Sequence, residues 1–393
     1  MKKLLMATAL TALAAGAATA EEVKLGIALG FTGPAESLAP GMADGAELAL
    51  AQMSGDANFF GGSTISTVRG DSSCVDAGIA TSVGERMIAE DVDGIIGALC
   101  SGATIAILQN VALPNGMVLF SPSATSPALT DIEDNGLFFR ASPSDARQGQ
   151  VLAEVLNERG VTSVAVTYTN NDYGKGLADS FSSAFKAIGG EITIEAAHED
   201  GKADYSAEVG SMASAGGEML VVVGYLDQGG PGIIRAALDT GAFDAFVLPD
   251  AMVGDSISDA FGTEIEGSFG TVPGSDSAGT EVYFELATAA GFDGTAPYSS
   301  EGYDAGALMG LAMAAAKSTD PAVYKDFVYA VSNAPGEPIL PGELPKALEI
   351  LANGGEIDYV GATALELIEP GEAAGGYREV EIKDGAFTTV KFR

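Results

Sequence analysis

The apolar and polar positions of this chain switch repeatedly between a strand-like run and a helical period. Val23 to Leu29 is a mostly apolar run that ends in the turn Gly30-Phe31-Thr32-Gly33-Pro34. From Met42 to Met53, the residues Ala46, Leu48, Ala49, Leu50 and Met53 fall at helical spacing. A second strand, Ile65 to Arg69, leads to a second helix, Val75 to Ala89, with Ile79, Val83, Met87 and Ile88 expected on its buried side. Next come a strand at Gly94 to Ala98, an apolar helix from Thr104 to Val111 stopped by Pro114, and a strand at Met117 to Leu119. The rhythm breaks in the Ser/Pro/Asp/Asn-rich stretch 121–137 and resumes at Leu137 to Arg140. It then repeats: helix to Glu158, strand Ser163 to Tyr168, helix Leu177 to Ile188, strand Glu191 to Ala196, helix Tyr205 to Ala215, strand Met219 to Val223, helix Ile233 to Thr240 and strand Ala245 to Leu248. Such alternation predicts parallel sheets covered by helices on both faces. From Phe269 a strand and two helices, Thr280 to Ala290 and Tyr303 to Ala316, are expected to complete the first lobe. A Pro/Gly-rich link at Ala334 to Gly342, another helix, and alternating strands from Tyr377 to Phe392 close the chain. The fold class is α/β: two doubly wound parallel-sheet lobes, a clam-shell joined by crossover strands.

Composition narrows what such a shell does. The first residues, MKKLLMATALTALAAGAATA, pair two lysines with a short apolar run and a small-residue end, the pattern of a signal peptide removed after Ala20. The run is too short to span a bilayer and is followed at once by Glu21-Glu22. The product is expected to be exported and soluble in the periplasm. With 54 acidic against 19 basic residues the formal charge is −35, which argues against nucleic acid and anionic membranes as partners. Cys74 and Cys100 are the only cysteines, and in an exported chain an isolated pair reads as one disulfide, contributing roughly 3.5 kcal/mol in the chain-entropy account. His198 is the only histidine; it is read as an exposed strand-end residue without a role. With no GxSxG elbow, no relay partner, no metal-ligand spacing and no GxGxxG, the chain reads as no enzyme, with no cofactor and no metal.

The chemistry concentrates in Ile95 to Thr104, IIGALCSGAT. Ser101 sits where a buried strand gives way to a helix, so free N–H groups and the positive end of the helix dipole favour an anion there. Ser101 could equally be a simple cap. A second turn of the same kind, Ser121-Pro122-Ser123-Ala124-Thr125, follows the next strand and favours a site at the carboxyl edge of the sheet.

The ordered series Gly26-Ile27-Ala28, Phe31-Thr32-Gly33-Pro34, Gly70-Asp71-Ser72-Ser73-Cys74, Leu99-Cys100-Ser101, Ser121-Pro122-Ser123-Ala124-Thr125, Phe139-Arg140-Ala141-Ser142-Pro143-Ser144-Asp145, Asn171-Asp172-Tyr173-Gly174 and Gly224-Tyr225 resembles the periplasmic leucine/isoleucine/valine-binding proteins. These are the type I substrate-binding subunits of branched-chain amino-acid ABC importers. The resemblance implies a type I periplasmic-binding-protein clam-shell, with a first lobe of 21–140 plus 272–350 and a second of 141–271 plus 351–393. It implies a ligand site from Leu99, Cys100, Ser101, Ser123, Ala124, Thr125, Tyr173, Tyr225 and Asp250. Ser101 and Thr125 would hold an α-carboxylate, and Tyr173 would reach across from the second lobe. Asp250 would take the ammonium group, although Asp227 or Asp255 could replace it, and Tyr225 would wall the side-chain pocket. Two departures stand out: Leu38 where relatives often place an aromatic, and Asp250 one methylene shorter than the usual Glu. The expected partners are an amino acid or a related amide or carboxylate, and an inner-membrane ABC permease, with the protein itself a monomer. A ligand-sensing module for a separate receptor is the alternative.

Overall fold

The computed structural model describes residues 22–393. The leader reading and its cleavage after Ala20 fall outside those residues. Among them no helix is long and apolar enough to cross a membrane. The elements run β1 (Val23–Leu29), α1 (Ala39–Met53), β2 (Ile65–Asp71), α2 (Ala77–Ala89), β3 (Gly94–Gly97), α3 (Ser101–Ile107), α4 (Leu113–Asn115), β4 (Leu119–Ser121) and β5 (Phe138–Arg140). They continue with α5 (Asp145–Glu158), β6 (Ser163–Thr169), α6 (Asp172–Ala187), β7 (Glu191–His198), α7 (Ser206–Ala215), β8 (Met219–Val223), α8 (Gly230–Thr240), β9 (Phe246–Leu248), α9 (Asp255–Phe261) and β10 (Phe269–Pro273). Last come α10 (Ala278–Ala290), α11 (Ser299–Ala316), β11 (Glu337–Ile339), β12 (Ile357–Tyr359), β13 (Leu367–Ile368), β14 (Glu372–Ala373), β15 (Tyr377–Lys383) and β16 (Ala386–Phe392).

Two seven-stranded sheets organise these elements, in the orders β13-β14-β5-β4-β3-β1-β2 and β16-β15-β10-β9-β8-β6-β7. Pairing is parallel through β1 to β5 and again through β6 to β10, as the alternation predicts. The antiparallel pairs sit at the edges, where β13 meets β14, β15 meets β10 and β16 meets β15. The chain passes between sheets three times: after β5, after β10 and after β14. The second sheet takes all of β10, against the expectation that the strand from Phe269 completes the first lobe, while α10 and α11 return as expected to pack on α1.

That helix seam explains the run of small residues in α11. At Gly302 a Cβ would lie 2.3 Å from the Met42 carbonyl oxygen, and at Gly306 2.7 Å from that of Ala46, so only glycine lets the two backbones approach this closely. The helix is buried on nearly every side from Ser299 to Met313, which is why it shows no amphipathic period.

Four sequence expectations are corrected here. First, α2 starts at Ala77, capped by the Asp76 carboxylate, and buries Ala80, Gly84 and Met87. Ile79 is 46% exposed, because a small face, with Gly84 against Val111, gives the closer approach to the next helical layer. Second, the helix expected to begin at Thr104 begins at Ser101 and runs on through a π turn, Leu108–Ala112, into α4. Pro114 lies in that last turn without stopping it; Gly116, at φ 66°, ends it, and the next strand starts two residues later than expected, at Leu119. Third, the tail divides differently. Residues 367–373 join the first sheet rather than the second lobe, held by a buried Arg140–Glu372 ion pair. The carboxylate of Asp304 on α11 also accepts hydrogen bonds from the Tyr359 hydroxyl at 2.8 Å and the Ala362 N–H at 2.8 Å. Only β15 and β16 go to the second sheet. Fourth, His198 is buried, bonded through Nδ1 to the Thr167 hydroxyl at 2.8 Å, and burial lowers its pKa to about 4.

Candidate functional site

The carboxyl ends of β3 and β4 each open into a turn, and the two turns brace one another. Ser121 donates its hydroxyl to the Ala98 carbonyl at 2.7 Å and accepts the Ala124 N–H at 2.9 Å. Ser123 donates to the Leu99 carbonyl at 2.9 Å, and the Ser101 hydroxyl accepts the Ser126 N–H at 3.1 Å. Behind them Cys74 and Cys100 form the expected disulfide, with Cα atoms 5.4 Å apart, fixing the residue before Ser101 to the loop after β2. Cys100 is the N-terminal flank of α3, so the first N–H groups of that helix face the same space as Ser101.

Opposite lies the second sheet's contribution. Asn171 caps α6 by accepting the Gly174 N–H at 2.9 Å, which seats Tyr173 in the first turn with its ring inward. Tyr173 stacks on Tyr225, centroids 5.3 Å apart, and the Tyr225 hydroxyl accepts from Asn171 at 3.2 Å. Just past β9, Asp250 accepts the Tyr173 hydroxyl at 2.8 Å and, on its other oxygen, the hydroxyl of Tyr298. Tyr298 comes from the segment before α11, so this bond joins the lobes. The rim is joined too, where Asp227 accepts the Ser37 N–H at 2.9 Å and donates its own N–H to the Pro34 carbonyl at 3.0 Å.

These walls line a small chamber, formed by Leu99, Cys100, Ser101, Ser123, Tyr173, Tyr225 and Asp250 among the residues singled out by sequence. Ala124 and Thr125 lie just behind it: the Ala124 carbonyl accepts from Arg140, and the Thr125 hydroxyl is buried without a partner. Of the three acids weighed for the second lobe, Asp250 lines the chamber, whereas Asp227 is engaged at the rim and Asp255 lines a neighbouring cavity.

Sequence reasoning missed Tyr298 and Ala251, whereas Leu38, singled out as a departure from the relatives, does line the wall. It also missed Asp145, fully buried at the start of α5, with neither carboxylate oxygen hydrogen-bonded. Burial and the nearby Asp250 push the Asp145 carboxyl well above the ordinary range, tempered by Thr125 and Arg140. Burial likewise raises Asp250, against the opposing pull of the Tyr298 and Tyr173 hydroxyls. The site thus joins a neutral wall of hydroxyls and N–H groups to a wall holding the buried Asp250, with Asp145 buried nearby and under the influence of Arg140. No group of three or more potential metal ligands occurs among the described residues.

Comparison with known proteins gives a consistent answer. Residues 22–338 match the family model for periplasmic binding proteins. A Leu/Ile/Val-binding protein homolog of Brucella melitensis is 30% identical over 327 residues, covering 81% of this chain and 86% of that one. A leucine binding protein, LivK, of Thermotoga maritima superposes with a TM-score of 0.79 at 20% identity, covering 94% of this chain and 98% of that one. A solute binding protein of an ABC transporter of R. palustris, solved with benzoate, superposes with a TM-score of 0.75 at 18% identity, covering 94% and 96%.

Proposed function

The chain belongs to the periplasmic binding protein family, among the Leu/Ile/Val-binding proteins, and on that premise we propose that it captures a small aliphatic α-amino acid between its lobes and passes it to an inner-membrane ABC importer. Members of this family bind solutes and are not enzymes. The observation that carries the ligand reading is the charge arrangement of the chamber. A zwitterion needs a hydroxyl-and-amide pole for its carboxylate and an anionic pole for its ammonium, and the two walls offer these on opposite sides. Ser101 and the N–H groups of α3, with Thr125 behind them, take the carboxylate in this reading; Asp250 takes the ammonium. Leu99, Cys100, Ser123 and Ala124 frame the first pole, and Tyr173, Tyr225 and Leu38 wall the side chain. In so dry a chamber a charge-assisted hydrogen bond is strong, because no solvent competes for it. The chamber is small and closely walled, which favours a compact ligand over an extended one.

A second reading, a carboxylate without an amino group, has one observation behind it. Burial favours the protonated form of Asp250, although the two tyrosine hydroxyls that donate to it pull the other way, so the acid wall can stand neutral. The test is calorimetric titration with leucine and with 4-methylpentanoate, its deaminated analogue. Leucine is expected to bind and 4-methylpentanoate to bind far more weakly; the reverse order removes the amino-acid reading. The protein is expected to behave as an exported monomer in the same samples.

A further inference from the structure

A second cavity opens at the hinge, between the crossing strand at Pro273–Gly274 and the helices α10 and α11. Tyr298 is the one residue that lines both this cavity and the ligand chamber. We propose that the hinge cavity is a binding site for a small monocarboxylate with an apolar body, held by the guanidinium of Arg378.

Arg378 is the observation that points there. Six other arginines of the chain, Arg69, Arg86, Arg140, Arg159, Arg235 and Arg393, are ion-paired. Arg147 stands exposed on the surface of α5. Arg378 is half-buried on β15, makes no ion pair among the described residues, and its Nε is shut from solvent without a hydrogen-bond partner. In a chain with 54 acidic residues an unpaired guanidinium is not a shortage of partners. A buried donor left unbonded costs stability, and a ligand that accepts from it removes that cost. The planar fork of arginine matches a carboxylate bidentately, which a hydroxyl or an amide cannot do.

The rest of the cavity narrows the ligand. Phe284, Pro297 and Phe392 supply apolar wall, suited to a ring or a short alkyl body. Glu301, at the start of α11, faces in near Arg378 without an ion pair, and burial raises its pKa to about 7 against the pull of that guanidinium. Near neutral pH it holds its proton in good part and donates to an incoming carboxylate instead of repelling it. Asp276 and Glu281 stand exposed at the rim and disfavour a second negative charge. Arg378 and Phe392 come from the second sheet, while Phe284 and Glu301 come from helices packed on the first, so the site is complete only when the lobes are closed.

The experiment uses benzoate as the probe, titrated calorimetrically into the full mature chain, into the chamber double variant Ser101→Ala/Thr125→Val, and into Arg378→Gln. Benzoate is expected to bind the chamber variant, and Arg378→Gln is expected to weaken that binding by at least about tenfold. Arg378→Lys, which keeps the charge and loses the fork, is expected to fall between and serves if the glutamine variant does not fold. Binding that disappears in the chamber variant and persists in Arg378→Gln overturns the proposal, as does the absence of any benzoate heat at millimolar concentration. Because the chamber variant separates the two sites, this result stands independently of which ligand the chamber takes.

Discussion

On the first-lobe wall of the chamber nearly every polar atom is already engaged: Ser121, Ser123 and Ser101 are tied into their own turns, and the disulfide fixes the strand end behind them. On the second-lobe wall Asp250 is met by the uncharged hydroxyls of Tyr173 and Tyr298 and makes no ion pair among the described residues, and Asp145 is buried nearby, likewise without an ion pair. One wall is built before a ligand arrives; the other is built around a charge that it does not contain. Preorganised hydroxyls and N–H groups accept any carboxylate, so the first wall supplies affinity with little discrimination. Unneutralised buried acids reward only a cation, so discrimination belongs to the second wall.

The largest test of that division is Asp250→Asn. It is expected to cost about 2–5 kcal/mol of leucine affinity by calorimetry, since one partner of a buried charge pair is removed, while 4-methylpentanoate loses little or gains. Equal losses for the two ligands would erase the distinction between the walls. The double change Ser101→Ala/Thr125→Val is expected to cost about 1.5–3 kcal/mol per lost hydrogen bond to the ligand, and to do so for both ligands alike, with a smaller fall in melting temperature from the lost Ser126 N–H bond. A loss confined to the amino acid would mean that the first wall also reads the ammonium.

A smaller effect is the proton. The raised carboxyls of Asp145 and Asp250 favour their protonated forms in the empty chamber, and an ammonium ligand favours the ionised form. Leucine binding is therefore expected to release protons, and affinity to fall as pH drops, by no more than about 1.4 kcal/mol per pH unit for each proton released. Titrations in two buffers of different ionisation heat measure it; identical heats would show the acid wall already ionised.

The smallest concerns Glu301, another buried acid lacking an ion pair, outside the chamber. Its folded pKa of about 7 lies above the ordinary 4.5, so the unfolded chain ionises first, and the folded state loses stability as pH rises between those values. Glu301→Gln removes that loss, and its gain in melting temperature over the parent is expected to be larger at pH 8 than at pH 5, by a few degrees. A constant difference would place Glu301 with groups that do not titrate on unfolding.

The strand–helix alternation was readable because the central parallel strands, such as β3, β8 and β9, are buried on both faces and helices follow the strands closely. Ser101, Tyr173, Tyr225 and Asp250 stand close after strands, where local sequence fixes position, and they converge on the chamber. Tyr298 and Asp145 were not readable in the same way. Tyr298 reaches the chamber through a backbone turn at φ 64° with no periodic signal, and Asp145 occupies a helix start that usually faces water. The small-residue faces of α2 and α11 misdirect a hydrophobic pattern, since close backbone approach, not side-chain size, chooses the buried side. The tail strands β13 and β14 are two residues each, too short to show a period; their place is set by Arg140, far away in sequence.

The three crossings between the sheets have a consequence for synthesis. The ribosome releases β1 to β5 first, then the parallel strands of the second sheet, and only afterwards α11 and residues 367–373 that finish the first sheet. The first lobe therefore waits, with the guanidinium of Arg140 lacking Glu372 and the groove of α1 lacking Gly302 and Gly306, until nearly the whole chain has emerged. Neither lobe is a contiguous stretch that can be cut out and expressed alone. Folding closes long loops late, a topology that favours slow acquisition of the native state.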